Sequence, residues 1–216
     1  MAVTRRCEDE RVKDHFRIVL VRHGETDWSA SGRHTGRTDV ALTAAGIDQA
    51  RRLPDLLAPL QLDDPLVIAS PRRRALDTAR LAGLAVDAVD DGLAEWDYGD
   101  YEGVTTPEIR RTVPGWTVWT HPCPGGETAA QVAARADGVL RSVAGPETRR
   151  DVVLVGHGHF SRALMARWID AEVTLGARLA MPTAAVAELG HEHEYRVICS
   201  VAGPRRLPAR HGEPIR

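Results

Sequence analysis

The sequence predicts a three-layer α/β sandwich, with a mainly parallel central sheet and helices on both faces. Three short apolar runs carry this reading: Phe16 to Val21, Leu66 to Ala69 and Val152 to Val155. Near-continuous apolar runs of this length suit strands buried on both faces, as in a parallel sheet. Helical patterns lie between and after them, and alternation of strands with helices implies a layered α/β fold.

The elements follow in order. Residues 1–15 are charged, lack the apolar stretch of a signal peptide, and are read as a flexible N-terminal arm. A single domain is expected over residues 16–202. After the first strand, a helix is expected from Thr43 to Leu57. It opens on a capping threonine and repeats apolar residues at Ala44, Ile47, Ala50, Leu53 and Leu57. The second strand leads into a helix over Pro71 to Leu81, with proline near the first turn, where its missing N–H costs nothing. A third helix is expected from about Thr128 to Val143, and a fourth from about His159 to Trp168. Ala184 to Leu189 and Tyr195 to Val201 read as a hairpin closing the sheet. Residues 203–216, rich in arginine and proline, read as a flexible tail.

Composition narrows the function. A chain of 216 residues can bury one sizeable core. Its net charge of −2 argues against nucleic acid or a membrane surface as partner, since both select a basic stripe. No run approaches membrane-spanning length. Cys7, Cys123 and Cys199 are odd in number and far apart. They build neither a disulfide framework nor a cysteine zinc site, and they fit a reducing cytoplasm. Lys13 is the only lysine among 28 basic residues, so arginine supplies the cationic chemistry.

Each of the three strands ends in a polar cluster: Arg22-His23-Gly24, Ser70-Pro71-Arg72-Arg73-Arg74 and Gly156-His157-Gly158. Ligands of open α/β sheets bind at the carboxyl ends of the strands. Arg22, His23, Arg74 and His157 are therefore expected to converge on one pocket. Guanidinium donors match phosphate oxygens. Nearby arginines disfavour protonation of an imidazole, which keeps it available as a nucleophile. The helix after His157 would offer N-terminal N–H groups to an anion. Phosphoryl transfer needs mainly positioning and charge neutralisation, which this set supplies.

The segments Leu20-Val21-Arg22-His23-Gly24-Glu25-Thr26, Gly32-Arg33-His34-Thr35-Gly36, Ser70 to Ala79, Glu95-Trp96-Asp97-Tyr98-Gly99, Pro124 to Thr128 and Gly156-His157-Gly158 resemble, in order, the histidine phosphatase superfamily. That superfamily includes the cofactor-dependent phosphoglycerate mutases. The resemblance spans about residues 16–200 and implies the phosphoglycerate mutase-like fold. It implies a phosphohistidine at His23, with Arg22, Arg74 and His157 holding phosphoryl oxygens and Glu95 protonating the leaving group. Thr35, Gly36, Gly158 and His159 would contact substrate. Ser29 stands where many members carry an asparagine phosphate contact, so it would offer one hydrogen bond there. Mutases of the family carry a longer insertion after the Glu95 segment, whereas the cap here, about residues 100–123, is short and favours hydrolysis. The branch resembled contains actinobacterial acid phosphatases and sedoheptulose-bisphosphatase-like enzymes. The implied activity is hydrolysis of small phosphomonoesters, sugar phosphates foremost, with neither metal nor cofactor and best on the acidic side of neutral. A mutase and a phospho-ligand-binding module are the alternatives, and a homodimer is the default assembly.

Other residues admit two readings. Glu102, Glu127 and Asp97 compete with Glu95 for the acid role. Arg72 and Arg73 read as surface residues. His159 pairs with His157, and His191 with His193, at a spacing that two metal ligands could use, but no third ligand is apparent. His34 and His121 either flank the pocket or are loop residues. Trp96, Tyr98, Trp116 and Trp119 either wall the site or pack the cap.

Overall fold

A computed structural model describes residues 16–145 and 150–203. The N-terminal arm, and the C-terminal tail apart from Gly203, lie outside the described residues. In chain order the elements are β1 (Ile18–Arg22), α1 (Asp27–Ser31), α2 (Ala44–Arg51), α3 (Leu53–Leu57), β2 (Leu66–Ala69), α4 (Arg73–Leu81), β3 (Ala88–Val89), α5 (Thr106–Ile109), α6 (Ala129–Val143), β4 (Val152–Gly156), α7 (Gly158–Trp168), β5 (Val186–Glu192) and β6 (Tyr195–Ala202). Their sheet runs β3-β2-β4-β1-β5-β6. The four strands from β3 to β1 are mutually parallel, while β5 pairs antiparallel with β1 and β6 antiparallel with β5.

Side chains alternate across a strand, so a strand that is apolar throughout must be covered twice. Ile18 and Leu20 of β1 join Leu154, Leu189, Val139, Phe160 and Leu164 on the face covered by α6 and α7. Val19 and Val21 join Val153, Val155, Leu53, Ala75 and Ala79 on the face covered by α2, α3 and α4. These are the two outer layers expected.

Several boundaries differ from expectation. The helix read over 43–57 is two helices. Thr43 caps α2 by accepting the Gly46 N–H at 3.0 Å. Pro54 has no N–H to bond back one turn, so the chain breaks at Arg52 and restarts as α3 with proline in its first turn. Pro71 lies outside α4, whose N-cap is the extended Arg72. The Asp39 carboxylate caps that helix from a distance, accepting the Arg73 N–H at 2.9 Å. The hairpin holds, though β5 starts at Val186 because Ala184 takes a positive φ of 52°. β3 escaped the sequence reading because it is two exposed residues with no apolar run.

The turn after β1 is fixed by two glycines in contact. A Cβ on Gly24 would lie 2.3 Å from the Gly46 carbonyl oxygen, and one on Gly46 would lie 2.1 Å from that of Glu25. Gly46→Ala forces these backbones apart. It is expected to lose about 1–3 kcal/mol, seen as a lower urea midpoint with an unchanged slope.

Candidate active site

Parallel register builds the centre of the site. Arg22 stands opposite Gly156 in the β1–β4 ladder. The next residue of each strand is therefore a histidine, and the His23 and His157 rings meet with centroids 5.2 Å apart. Both are buried.

The hydrogen bonds assign the protons. His23 Nδ1 lies 2.7 Å from the Gly24 carbonyl oxygen, which can only accept, so Nδ1 carries the hydrogen and Nε2 keeps its lone pair. Arg74 Nε donates to His157 Nδ1 at 3.2 Å, so the His157 proton is on Nε2, which donates to Ser70 Oγ at 2.7 Å. Burial, Arg22 and Arg74 hold His23 well below the usual imidazole range. Burial and then Arg74 do the same for His157. Both imidazoles are neutral near neutral pH.

Beside His23 lies a cavity of about 240 Å³. Its wall includes Arg22, His23, Ser29, Thr35, Glu95, Gly158 and His159 of the expected set. The Arg22 Nη1 donates to the Met181 carbonyl at 2.6 Å, while its Nε is buried with no hydrogen-bond partner. A buried orphan donor on a cation is costly, and an anion in the cavity would relieve it. Gly158 lets this guanidinium approach, since a Cβ there would fall 2.9 Å from Arg22 Cζ.

Glu95 is buried and held by three backbone N–H groups. Oε1 accepts from Trp96 at 2.9 Å and Phe160 at 2.8 Å, and Oε2 from His159 at 3.0 Å. This corrects one expectation. Two N–H donors of the α7 first turn serve the Glu95 carboxylate, which leaves Gly158 as the first-turn residue not engaged by it. The three rival carboxylates are tied elsewhere. Glu102 accepts from the Gly36 and Thr38 N–H groups, Glu127 pairs with Arg135, and Asp97 pairs with Arg37. None of the three reaches the cavity beside His23.

Other expected contacts sit differently. Arg74 and His157 are fully buried behind the cavity wall. The Arg74 guanidinium donates to the carbonyls of Thr35, Gly36 and Thr38 as well as to His157. These four bonds leave one Nη1–H uncommitted. Gly36 faces a second cavity on the far side of Glu95, of about 260 Å³. The Ser29 hydroxyl is engaged in the α1 capping box with Thr26, although the residue lines the first cavity. Arg73 is exposed and paired with Asp77 as expected of a surface residue. Arg72 departs from that reading: it lines the second cavity with its Nε buried and unpartnered.

The undecided residues resolve by packing. Tyr98 lines the cavity, its hydroxyl 2.6 Å from His159 Nδ1. Trp96, Trp116 and Trp119 belong to the core. His34 lines the cavity, whereas His121 bonds within its own turn to Thr117 and Thr120. His191 packs on Trp168 and Phe16. Sequence reasoning missed Arg33 and Arg162, both on the cavity wall. The i, i+4 spacing of Gly158 and Arg162 on α7 was the available signal for the latter.

The fold agrees with comparisons to known proteins. Residues 18–202 match the profile of the histidine phosphatase superfamily, branch 1. The chain is 55% identical over 185 residues to an acid phosphatase of Mycobacterium tuberculosis, covering 86% of this chain and 91% of that one. It is 34% identical to the sedoheptulose 1,7-bisphosphatase of Saccharomyces cerevisiae, over 70% of this chain and 67% of that one. Among solved structures, an open reading frame product of Mycobacterium tuberculosis superposes with a TM-score of 0.83 at 55% identity, covering 85% of this chain and 95% of that one. The chain belongs to the histidine phosphatase superfamily. Within it, the chain is an enzyme of the phosphatase class, as the sequence implied.

The buried histidines give stability a pH sign. His23, His157 and His159 all have folded values depressed below the ordinary 6.5. The unfolded chain therefore binds protons first as pH falls, and stability drops below about pH 6.5. Each histidine contributes a slope of about 1.4 kcal/mol per pH unit until its folded value is reached. Urea midpoints taken from pH 8 to pH 5 check this. A flat profile through that window would show the imidazoles to titrate in the folded protein as they do in the unfolded chain.

Proposed function

We propose that the protein hydrolyses small phosphomonoesters, sugar phosphates foremost, through a phosphohistidine on His23. The observation that carries the reading is the committed Nδ1–H of His23, which leaves the Nε2 lone pair available beside an unpartnered Arg22 donor.

In the first step the Nε2 lone pair attacks phosphorus and the ester P–O bond breaks. The leaving alkoxide takes a proton from the Glu95 carboxyl group. Oε1 already accepts two N–H bonds and Oε2 only one, so Oε2 is the oxygen that carries the transferring proton. In the second step water attacks the phosphohistidine and gives its proton to Glu95. Inorganic phosphate leaves, and both His23 and Glu95 are regenerated. Arg22 neutralises the phosphoryl charge directly. Arg74 holds His157 and the 35–38 turn in place from behind the cavity wall. Neutral His157 contributes position without competing for the proton.

The resting His23 stays unprotonated well into acid because burial and two arginines lower its proton affinity. The nucleophile is thus available on the acidic side of neutral, so hydrolysis proceeds there. The acid phosphatase relative, at 55% identity, supports this reading. The bisphosphatase relative supports a sugar phosphate as substrate. Among the described residues no helix is long and apolar enough to cross a membrane. A cytoplasmic site of action rests on the scattered cysteines, which suit a reducing compartment.

His23→Ala is expected to abolish phosphate release from p-nitrophenyl phosphate and from sugar phosphates. The wild type should yield a base-stable, acid-labile phosphoprotein on rapid quenching. Glu95→Gln should lower kcat by about 10²- to 10⁴-fold. Isomerised phosphoglycerate without phosphate release would replace hydrolysis by mutase chemistry. Retained turnover in His23→Ala would remove the phosphohistidine.

A further inference from the structure

Among the described residues, two arginines have a buried Nε with no hydrogen-bond partner, Arg22 and Arg72. The first lines the cavity beside His23. The second lines the other cavity, of about 260 Å³, across Glu95. Glu95 is the one described residue that the two walls share.

Charges on the second wall are matched unevenly. It carries three guanidiniums, Arg37, Arg72 and Arg135, and three carboxylates, Glu95, Asp97 and Glu127. Arg135 spends all its N–H donors, on both oxygens of Glu127 and on the carbonyls of Gly92, Ala94 and Glu95. Arg37 is paired with Asp97. The Glu95 carboxylate is held by the N–H groups of Trp96, His159 and Phe160. Only Arg72 is left over. Its guanidinium makes no hydrogen bond and no ion pair with any described residue, although the residue is half-buried. Withdrawing a cation from water without a partner is costly, and such a group calls for an explanation. A bound anion supplies one.

Arg72 is also held in place ahead of any ligand. It is the extended N-cap of α4, and its carbonyl accepts the N–H groups of Ala75 at 2.8 Å and Leu76 at 3.2 Å. A fixed backbone reduces the ordering cost of binding. The planar donors of a guanidinium match a tetrahedral oxyanion. The space is slightly larger than the cavity of about 240 Å³ beside His23, so a phosphate-sized group fits it.

We propose that the second cavity is an oxyanion site centred on Arg72, separate from the phosphoryl site at His23, and that its ligand is a phosphate group, free or carried on a small ester. The charge of Arg72 bears on both Arg74 and His157. An anion on Arg72 offsets that charge, so occupancy is felt at the Arg74–His157 pair while the cavity beside His23 stays open. The site is defined by binding and does not depend on turnover.

Equilibrium dialysis of the full chain against radiolabelled orthophosphate tests this. The wild type is expected to bind two phosphates per chain. Arg72→Gln should weaken one of the two sites at least tenfold, and Arg72→Lys should recover part of that loss. Arg22→Gln should weaken the other site and leave the Arg72 site intact. Because the Arg72 side chain has no partner to lose, Arg72→Gln should keep or raise the urea midpoint in phosphate-free buffer. It should also lose part of the rise in midpoint that phosphate gives the wild type. In Arg22→Gln, displacement of the label by glycerol 3-phosphate as well as by unlabelled orthophosphate assigns an ester phosphate as ligand. Displacement by orthophosphate alone assigns the free anion. A single phosphate per chain that survives Arg72→Gln would overturn the inference and leave the phosphatase reading standing. Loss of the second phosphate together with a lowered midpoint in phosphate-free buffer would trace the loss to a disturbed fold, and would overturn it equally.

Discussion

Parallel pairing of β1 with β4, with Arg22 opposite Gly156, is the constraint on which the site depends. Two strands far apart in sequence end level with each other, so the residue after each lands at the same sheet edge. Those residues are His23 and His157. A shift by one residue would turn one imidazole into a helical layer, because side chains alternate with period two. The register is held by core packing on both faces, with Ile18 and Leu20 toward α6 and α7 and Val19 and Val21 toward α2 to α4. The geometry of the candidate site is thereby tied to the buried core.

Around this pair, polar groups are positioned by other polar groups rather than by the apolar core. Arg74 is fully buried, and its donors fix His157 and three carbonyls of the 35–38 turn at once. Glu102 completes that turn from the other side through the Gly36 and Thr38 N–H groups. Glu95 takes the start of α7, so the helix N-terminus orients the carboxyl group. A buried network of this kind is rigid only when its members are satisfied. Here the conspicuous unsatisfied atoms are the Nε groups of Arg22 and Arg72, each on a cavity that also touches Glu95.

Much of this was legible in the chain. Apolar runs that end in Arg-His-Gly and Gly-His-Gly announced both buried strands and the edge at which their polar ends would meet. The helix over 43–57 misled because its apolar spacing continues through Pro54, and periodicity does not register a missing N–H. Arg72 misled because it sits in a run of three arginines whose directions depend on where α4 begins. That start is set by Asp39, thirty-four residues away.

Local chemistry in the sequence determined the fold class and the convergence of Arg22, His23, Arg74 and His157. These follow from strand direction and side-chain type, which are properties of short segments. Tertiary structure alone decided which nitrogen of each histidine carries its proton, because the partners are a carbonyl, a buried arginine and a serine brought in by folding. It also decided that Arg74 stands behind the pocket while Arg162 lines it. Both are arginines on helices that follow buried strands, and only the packing of α7 against Trp119 and Gly176 turns the second toward the cavity.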